Sequence, residues 1–86
     1  MGLNKRITSA LNLPKEVTLD YPKITVIGEE SVIIENHKGI LEFSEDIIKL
    51  NTKLYILKIE GQKLNIRFIT NDEMEIVGKR TGIVMS

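Results

Sequence analysis

From Val17 to the last residue, this chain of 86 alternates aliphatic and polar side chains in short runs, and nearly every gap between runs holds a turn former. The runs read VTLD, KITVI, SVIIE, ILEFS, IIKLN, LYILKIE, KLNIRFI, MEIV and GIVMS. A repeat of two puts successive side chains on opposite faces of a strand, which the 3.6-residue period of a helix cannot do. The gaps carry Tyr21-Pro22, Gly28-Glu29-Glu30, Asn36-His37-Lys38-Gly39, Ser44-Glu45-Asp46, Asn51-Thr52, Gly61-Gln62, Asn71-Asp72 and Gly78. Such short gaps join antiparallel neighbours, because a parallel crossover needs a dozen residues or more. The pattern predicts an all-β fold, a small antiparallel β-sandwich or meander, with residues 14–86 as its single domain. Composition agrees: fourteen isoleucines and five valines, branched at Cβ, pack better on a pleated surface than in a helix.

Ahead of this region the period differs. Leu3, Ile7, Ala10 and Leu11 recur at helical spacing, which predicts a short amphipathic helix within residues 1–13, ended by Pro14. So short a helix needs a surface to dock on. The domain's own sheet is the expected one, with a membrane surface or another protein as the alternatives.

Charge and cysteine content narrow the function. Twelve basic and twelve acidic side chains cancel, so no cationic excess marks a nucleic-acid binder. The absence of cysteine excludes disulfides, thiol nucleophiles and thiolate metal sites. No run approaches the ~20 apolar residues of a membrane span, and no signal-peptide core is present. Gly2 mimics a myristoylation site, but Arg6 stands where serine or threonine is required.

The stretch IIENHKGIL, residues 33–41, concentrates the candidate chemistry. Asn36 and Gly39 suit the first and fourth corners of a type I turn, which would leave His37 and Lys38 exposed at a hairpin tip. A G1 bulge at Gly39 mixes acids into both faces of that hairpin, whereas a plain two-residue loop aligns Val32 and Ile34 with Leu41 and Phe43 on one apolar face. Turn chemistry and burial pattern disagree by one residue, and the register stays open. One histidine is too few for an ordinary zinc site, no metal ligand set or cofactor motif is present, and a His37, Ser44, Asp46 triad would lack a nucleophile elbow. Gly28, Gly61 and Gly78 sit between strand runs and read as turns, not as phosphate loops. Their uneven spacing argues against a β-solenoid, while long aliphatic edges such as LYILKIE keep a self-assembling β-structural polymer as the alternative.

The string Ile34-Glu35-Asn36-His37-Lys38-Gly39-Ile40 resembles the signature of the YabP/YqfC family of sporulation proteins. Leu13-Pro14-Lys15, Asp20-Tyr21-Pro22-Lys23-Ile24, Gly28, Ile59-Glu60-Gly61-Gln62-Lys63-Leu64 and Ile76-Val77-Gly78-Lys79 extend the likeness over most of the chain, and the length is similar to the YqfC-like branch. Tyr55, in place of an expected glycine, and the polar ending KRTGIVMS depart from it. The resemblance implies a small all-β protein of endospore-forming bacteria, made in the mother cell, with no catalytic residue and no cofactor. Relatives are encoded beside integral-membrane sporulation proteins, which implies a protein partner at the forespore membrane. Glu35, Asn36, His37 and Lys38 are the partner-binding candidates carried over, with Asn36, Gly39, Gly28, Gly61 and Gly78 as structural turn residues. A homo-oligomer is compatible with this reading.

Overall fold

The computed structural model describes residues 19–86. The expected N-terminal helix and the first half of the VTLD run therefore lie outside the described residues. Six strands follow: β1 (Lys23–Ile27), β2 (Ser31–Glu35), β3 (His37–Phe43), β4 (Ile47–Thr52), β5 (Ile56–Ile69) and β6 (Glu73–Met85). They form one sheet in the order β1-β2-β6-β5-β4-β3, with every neighbouring pair antiparallel. The sheet is open, with β1 and β3 at its edges. Antiparallel pairing throughout leaves none of the stacked parallel rungs of a solenoid.

Strands β3 to β6 make a meander through three turns of one design. Ser44, Thr52 and Thr70 each accept bonds through the side-chain hydroxyl from backbone N–H groups two and three residues on, and each donates to the carbonyl of the third. A hydroxyl placed this way satisfies turn amides that no strand can reach. The β1–β2 turn differs: Gly28, at φ 58°, opens the three-residue loop between Ile27 and Ser31.

The two longest strands decide the shape. Residues 56–60 of β5 pair with β4 and with the end of β6, whereas residues 65–69 pair with the start of β6, whose other side takes β2. Between these halves the β5–β6 register slips at Glu60/Gly61 and again between Gln62 and Asn65. Bulges of this kind bend a strand pair and strengthen its twist. The sheet therefore has two arms meeting at a bend: β1, β2 and the inner halves of the hairpin on one side, β3, β4 and its outer halves on the other. Val32, Ile34, Met74 and Ile76 from the first arm and Ile48, Leu50, Leu57 and Ile59 from the second, none more than 1% exposed, join Leu64 in one cluster. In a flat sheet β2 and β4 lie three strand spacings apart, so a shared core requires the arms to fold towards each other.

Gly61 and Gly78 are thus not turn residues but the inside of the bend. A β-carbon on Gly61 would lie 2.3 Å from the Lys79 carbonyl oxygen, and one on Gly78 would lie 2.6 Å from that of Lys63. Gly78 also has φ 123°, which side-chain-bearing residues rarely adopt. The backbone groups freed there find partners in neighbouring turns: Gly61 and Leu64 donate to Asp46 and Glu45, and Gly78 and Arg80 donate to Glu30 and Glu29. Locally a glycine in a bent strand and a glycine in a turn look alike, so LYILKIE and KLNIRFI merge into β5, and MEIV and GIVMS into β6.

The expected hairpin at Asn36 to Gly39 is absent. Among the described residues β2 pairs with β1 and β6, β3 pairs only with β4, and the two are joined through Asn36. Asn36 takes φ 65° and passes the chain from the far end of one arm to the far end of the other. Gly39 lies within β3 beside a bulge and needs no special φ. Neither register weighed for a β2–β3 hairpin applies, because burial on β2 is set by its pairing with β6.

Candidate functional site

The Glu35-to-Lys38 corner is built from distant parts of the chain. Asn36 donates its backbone N–H to the Asp72 carbonyl at 2.5 Å and its side-chain Nδ2 to the Tyr21 carbonyl at 2.8 Å. Asparagine fits here because it tolerates left-handed geometry and its short amide can bond nearby backbone. Lys38 forms an exposed ion pair with Asp20. Lys53, from the β4–β5 turn, donates to the Leu19 carbonyl at 2.8 Å and lies 5.9 Å from the centre of the Tyr21 ring. Residues 19–21 are thereby fastened over the corner.

The four candidate residues occupy different environments. Glu35 ends β2 half-buried, with Lys23 opposite it on one side and Glu73 on the other, in a charged row across three strands. Asn36 is half-buried, and Lys38 is exposed. His37 is not at an exposed tip: it is 7% exposed, opposite the equally buried Thr52. It faces the core side because the chain enters β3 in register with β4, whose even-numbered residues Ile48, Leu50 and Thr52 point inward.

Burial pushes the His37 pKa below the ordinary imidazole value of 6.5; the Asp72 carboxylate opposes this and the Lys38 ammonium adds to it. The His37 Nδ1 is buried with no hydrogen-bond partner among the described residues. Among the described residues, the hydroxyl and carboxylate groups named with His37 in the sequence are engaged or remote. The Thr52 hydroxyl is committed to its turn, accepting from Leu54 and Tyr55 and donating to the Tyr55 carbonyl. Ser44 and Asp46 lie beyond the other end of β3, about 24 Å along a seven-residue strand. Among the described residues no cluster of histidine, aspartate and glutamate could hold a metal ion.

A second polar feature was not anticipated. On the first arm, beside the bend, a shallow cleft of about 610 Å³ is lined by Ser31, Lys63, Arg67, Glu75 and Lys79. Glu75, 8% exposed, accepts from the Ser31 hydroxyl at 2.6 Å and pairs with Arg67 at 3.3 Å. A buried carboxylate with two such partners is a satisfied structural group. Its signal in the sequence was faint: Ser31 and Glu75 occupy outward positions of runs 44 residues apart. Asp72 and Lys53 were missed for the same reason, as their contacts with the corner are made only once the arms fold.

Comparison with known proteins identifies the family. Residues 19–86, the whole described region, match the model of the YabP family. The chain is 38% identical over 72 residues to the uncharacterized protein YqfC of Bacillus subtilis (strain 168), covering 84% of this chain and 77% of that protein. No solved structure matches it.

Proposed function

The chain belongs to the YabP/YqfC family of sporulation-associated, non-catalytic proteins, and on that premise we propose that it is an interaction module that holds a protein partner through the Glu35-to-Lys38 corner. The observation that carries this reading is a division of labour within the signature. His37 faces inward and Asn36 bonds the Asp72 and Tyr21 carbonyls where the far ends of the two arms meet, while the half-buried Glu35 and the exposed Lys38 present charges beside Asp20, Lys23 and Glu73. A rigid corner bearing mixed charge suits a protein surface of complementary charge, where such groups set orientation and exclude wrong partners. It does not suit a polyanion.

The partner is an integral-membrane sporulation protein, and the site of action is the mother-cell side of the forespore membrane. What supports this is the family resemblance, which implies relatives encoded beside integral-membrane sporulation proteins. Among the described residues no helix is long and apolar enough to cross a membrane, and in this reading contact with the bilayer runs through the partner.

The test replaces the native copy with a Glu35→Ala, Lys38→Ala variant. Lys38 is exposed and Glu35 half-buried, and neither belongs to the apolar core, so the melting temperature of the purified variant stays within a few degrees of the parent. The count of heat-resistant spores falls, and less membrane protein is retained by the tagged variant from solubilised membranes of sporulating cells. Normal sporulation with a normally folded variant would sink the proposal.

A further inference from the structure

Most cationic side chains among the described residues are engaged. Lys38, Lys49, Lys58 and Arg67 pair with acidic side chains, Lys53 and Arg80 donate to backbone carbonyls, and Lys23 has a partner as well. Among the described residues, Lys63 and Lys79 are the cations whose side chains have neither an ion pair nor a hydrogen bond. Both line the cleft beside the bend.

The bend is what brings them there. Gln62 is the register partner of Lys79, and the Lys63 carbonyl oxygen lies 2.6 Å from where a β-carbon on Gly78 would stand. Two lysines are thus set on neighbouring strands at one cleft, where like charges repel. The acids nearby do not answer them. Glu75 is committed to Ser31 and Arg67, and Glu30, at the rim, pairs with neither lysine. Lys63 also borders a smaller recess with Glu45 and forms no ion pair with it.

Charge also narrows the occupant. Residues 1–18 carry Lys5, Arg6 and Lys15 against Glu16 alone, so like charge argues against the chain's own beginning. Glu30 and Glu75 repel a phosphate or a polyanion more strongly than a singly charged carboxylate. The cleft is shallow and both lysines are exposed, whereas a free small molecule needs enclosure over most of its surface. Acidic side chains carried by a larger surface need no such enclosure. We propose that this cleft is a second contact surface, where Lys63 and Lys79 receive the carboxylates of an acidic segment of a protein partner. It lies at the bend and not at the far ends of the arms, and it does not rest on the corner reading.

The probe is a short blocked peptide of alternating glutamate and glycine, titrated into the isotope-labelled full chain at low salt, where exposed charges are least screened. Amide shifts followed by nuclear magnetic resonance gather at Gln62, Lys63, Gly78 and Lys79 and saturate with a Kd on the order of 1 mM. The glutamine–glycine counterpart leaves them unmoved. Lys63→Gln with Lys79→Gln weakens binding about tenfold, and Lys63→Arg with Lys79→Arg, which keeps both charges, stays within about threefold of the parent. Melting curves confirm that each variant is folded. Absence of saturation at these amides overturns the proposal, as do equal shifts from the neutral peptide, shifts centred on Lys5 and Arg6, or a glutamine variant that binds like the parent. Tighter binding of inorganic phosphate at the same amides overturns it too, and so do phosphatidylglycerol vesicles that retain the parent but not the glutamine variant, since either result assigns the lysines to phosphate. The Glu35→Ala, Lys38→Ala chain binds the peptide as the parent does. Failure of the peptide therefore leaves the corner reading standing, and failure of the corner variant in cells leaves the cleft standing.

Discussion

The bend between the arms can be tested at one atom. In Gly78→Ala the added β-carbon would lie 2.6 Å from the Lys63 carbonyl oxygen, 2.8 Å from the Leu64 Cα and 3.0 Å from the Lys63 carbonyl carbon. All three are backbone atoms, so no rotamer change relieves the contact. Lys63 is itself at φ 54°, which leaves the neighbouring chain little freedom to retreat. Holding alanine at φ 123° costs about 1–3 kcal/mol, and forcing a methyl group into packed structure costs about 1–3 kcal/mol more. The combined loss of roughly 2–6 kcal/mol compares with a total stability of roughly 4–13 kcal/mol for a chain of this length. Urea unfolding followed by far-ultraviolet circular dichroism measures it. With a slope of about 1 kcal/mol per molar urea, the midpoint falls by about 2 M or more, or the folded baseline disappears. Gly39→Ala is the control, since its added carbon would meet nothing within 4 Å and its backbone is ordinary; it should stay within about 0.5 kcal/mol of the parent. If the two variants unfold together, the glycine-lined bend is wrong.

Two further predictions concern the corner. His37 titrates below the ordinary 6.5 in the folded chain because burial disfavours its cation, while the unfolded chain titrates near 6.5. Below that value the unfolded state binds more protons, so the contribution is intact above pH about 6.5 and is lost as pH falls towards the folded pKa. Urea midpoints should therefore drop between pH about 7.5 and 5, and His37→Gln should flatten that slope; an unchanged slope would place the ring in solvent. Asn36→Ala loses both the bond to the Tyr21 carbonyl and tolerance of φ 65°, about 2 kcal/mol together. Asn36→Gly keeps the backbone freedom and should recover about half of that by the same unfolding measurement, whereas equal losses would mean the left-handed geometry carries no cost.

The strands were legible where alternation was strict. SVIIE shows why: Val32 and Ile34 point into the core while Ser31 and Glu35 do not, and the pairing with β6 keeps that pattern in register. The bend was not legible, because what makes Gly61 and Gly78 necessary is the approach of carbonyls from Lys79 and Lys63 across the strand pair. The corner was misread for a related reason. Asn-His-Lys-Gly satisfies a type I turn locally, and only the one-residue conflict with the aliphatic pattern hinted otherwise. That conflict has a physical origin: β2 faces β6, some forty residues on, and β3 faces β4, so no single hairpin register could satisfy both. The burial of His37 follows from the same fact. Three of the real turns were legible, marked by Ser44-Glu45-Asp46, Asn51-Thr52 and Asn71-Asp72, although the hydroxyl that organises the third is that of Thr70, just ahead of the marked pair.

The most direct measurement is the strand pairing on either side of Asn36, read from backbone proton contacts by nuclear magnetic resonance on the purified chain. The account predicts cross-strand contacts between Ile34 and Met74 and between Ile40 and Leu50, with none joining β2 to β3. Contacts between Ile34 and Leu41 or Glu42 would restore the hairpin, return His37 and Lys38 to its tip, and contradict the corner on which the proposed function rests.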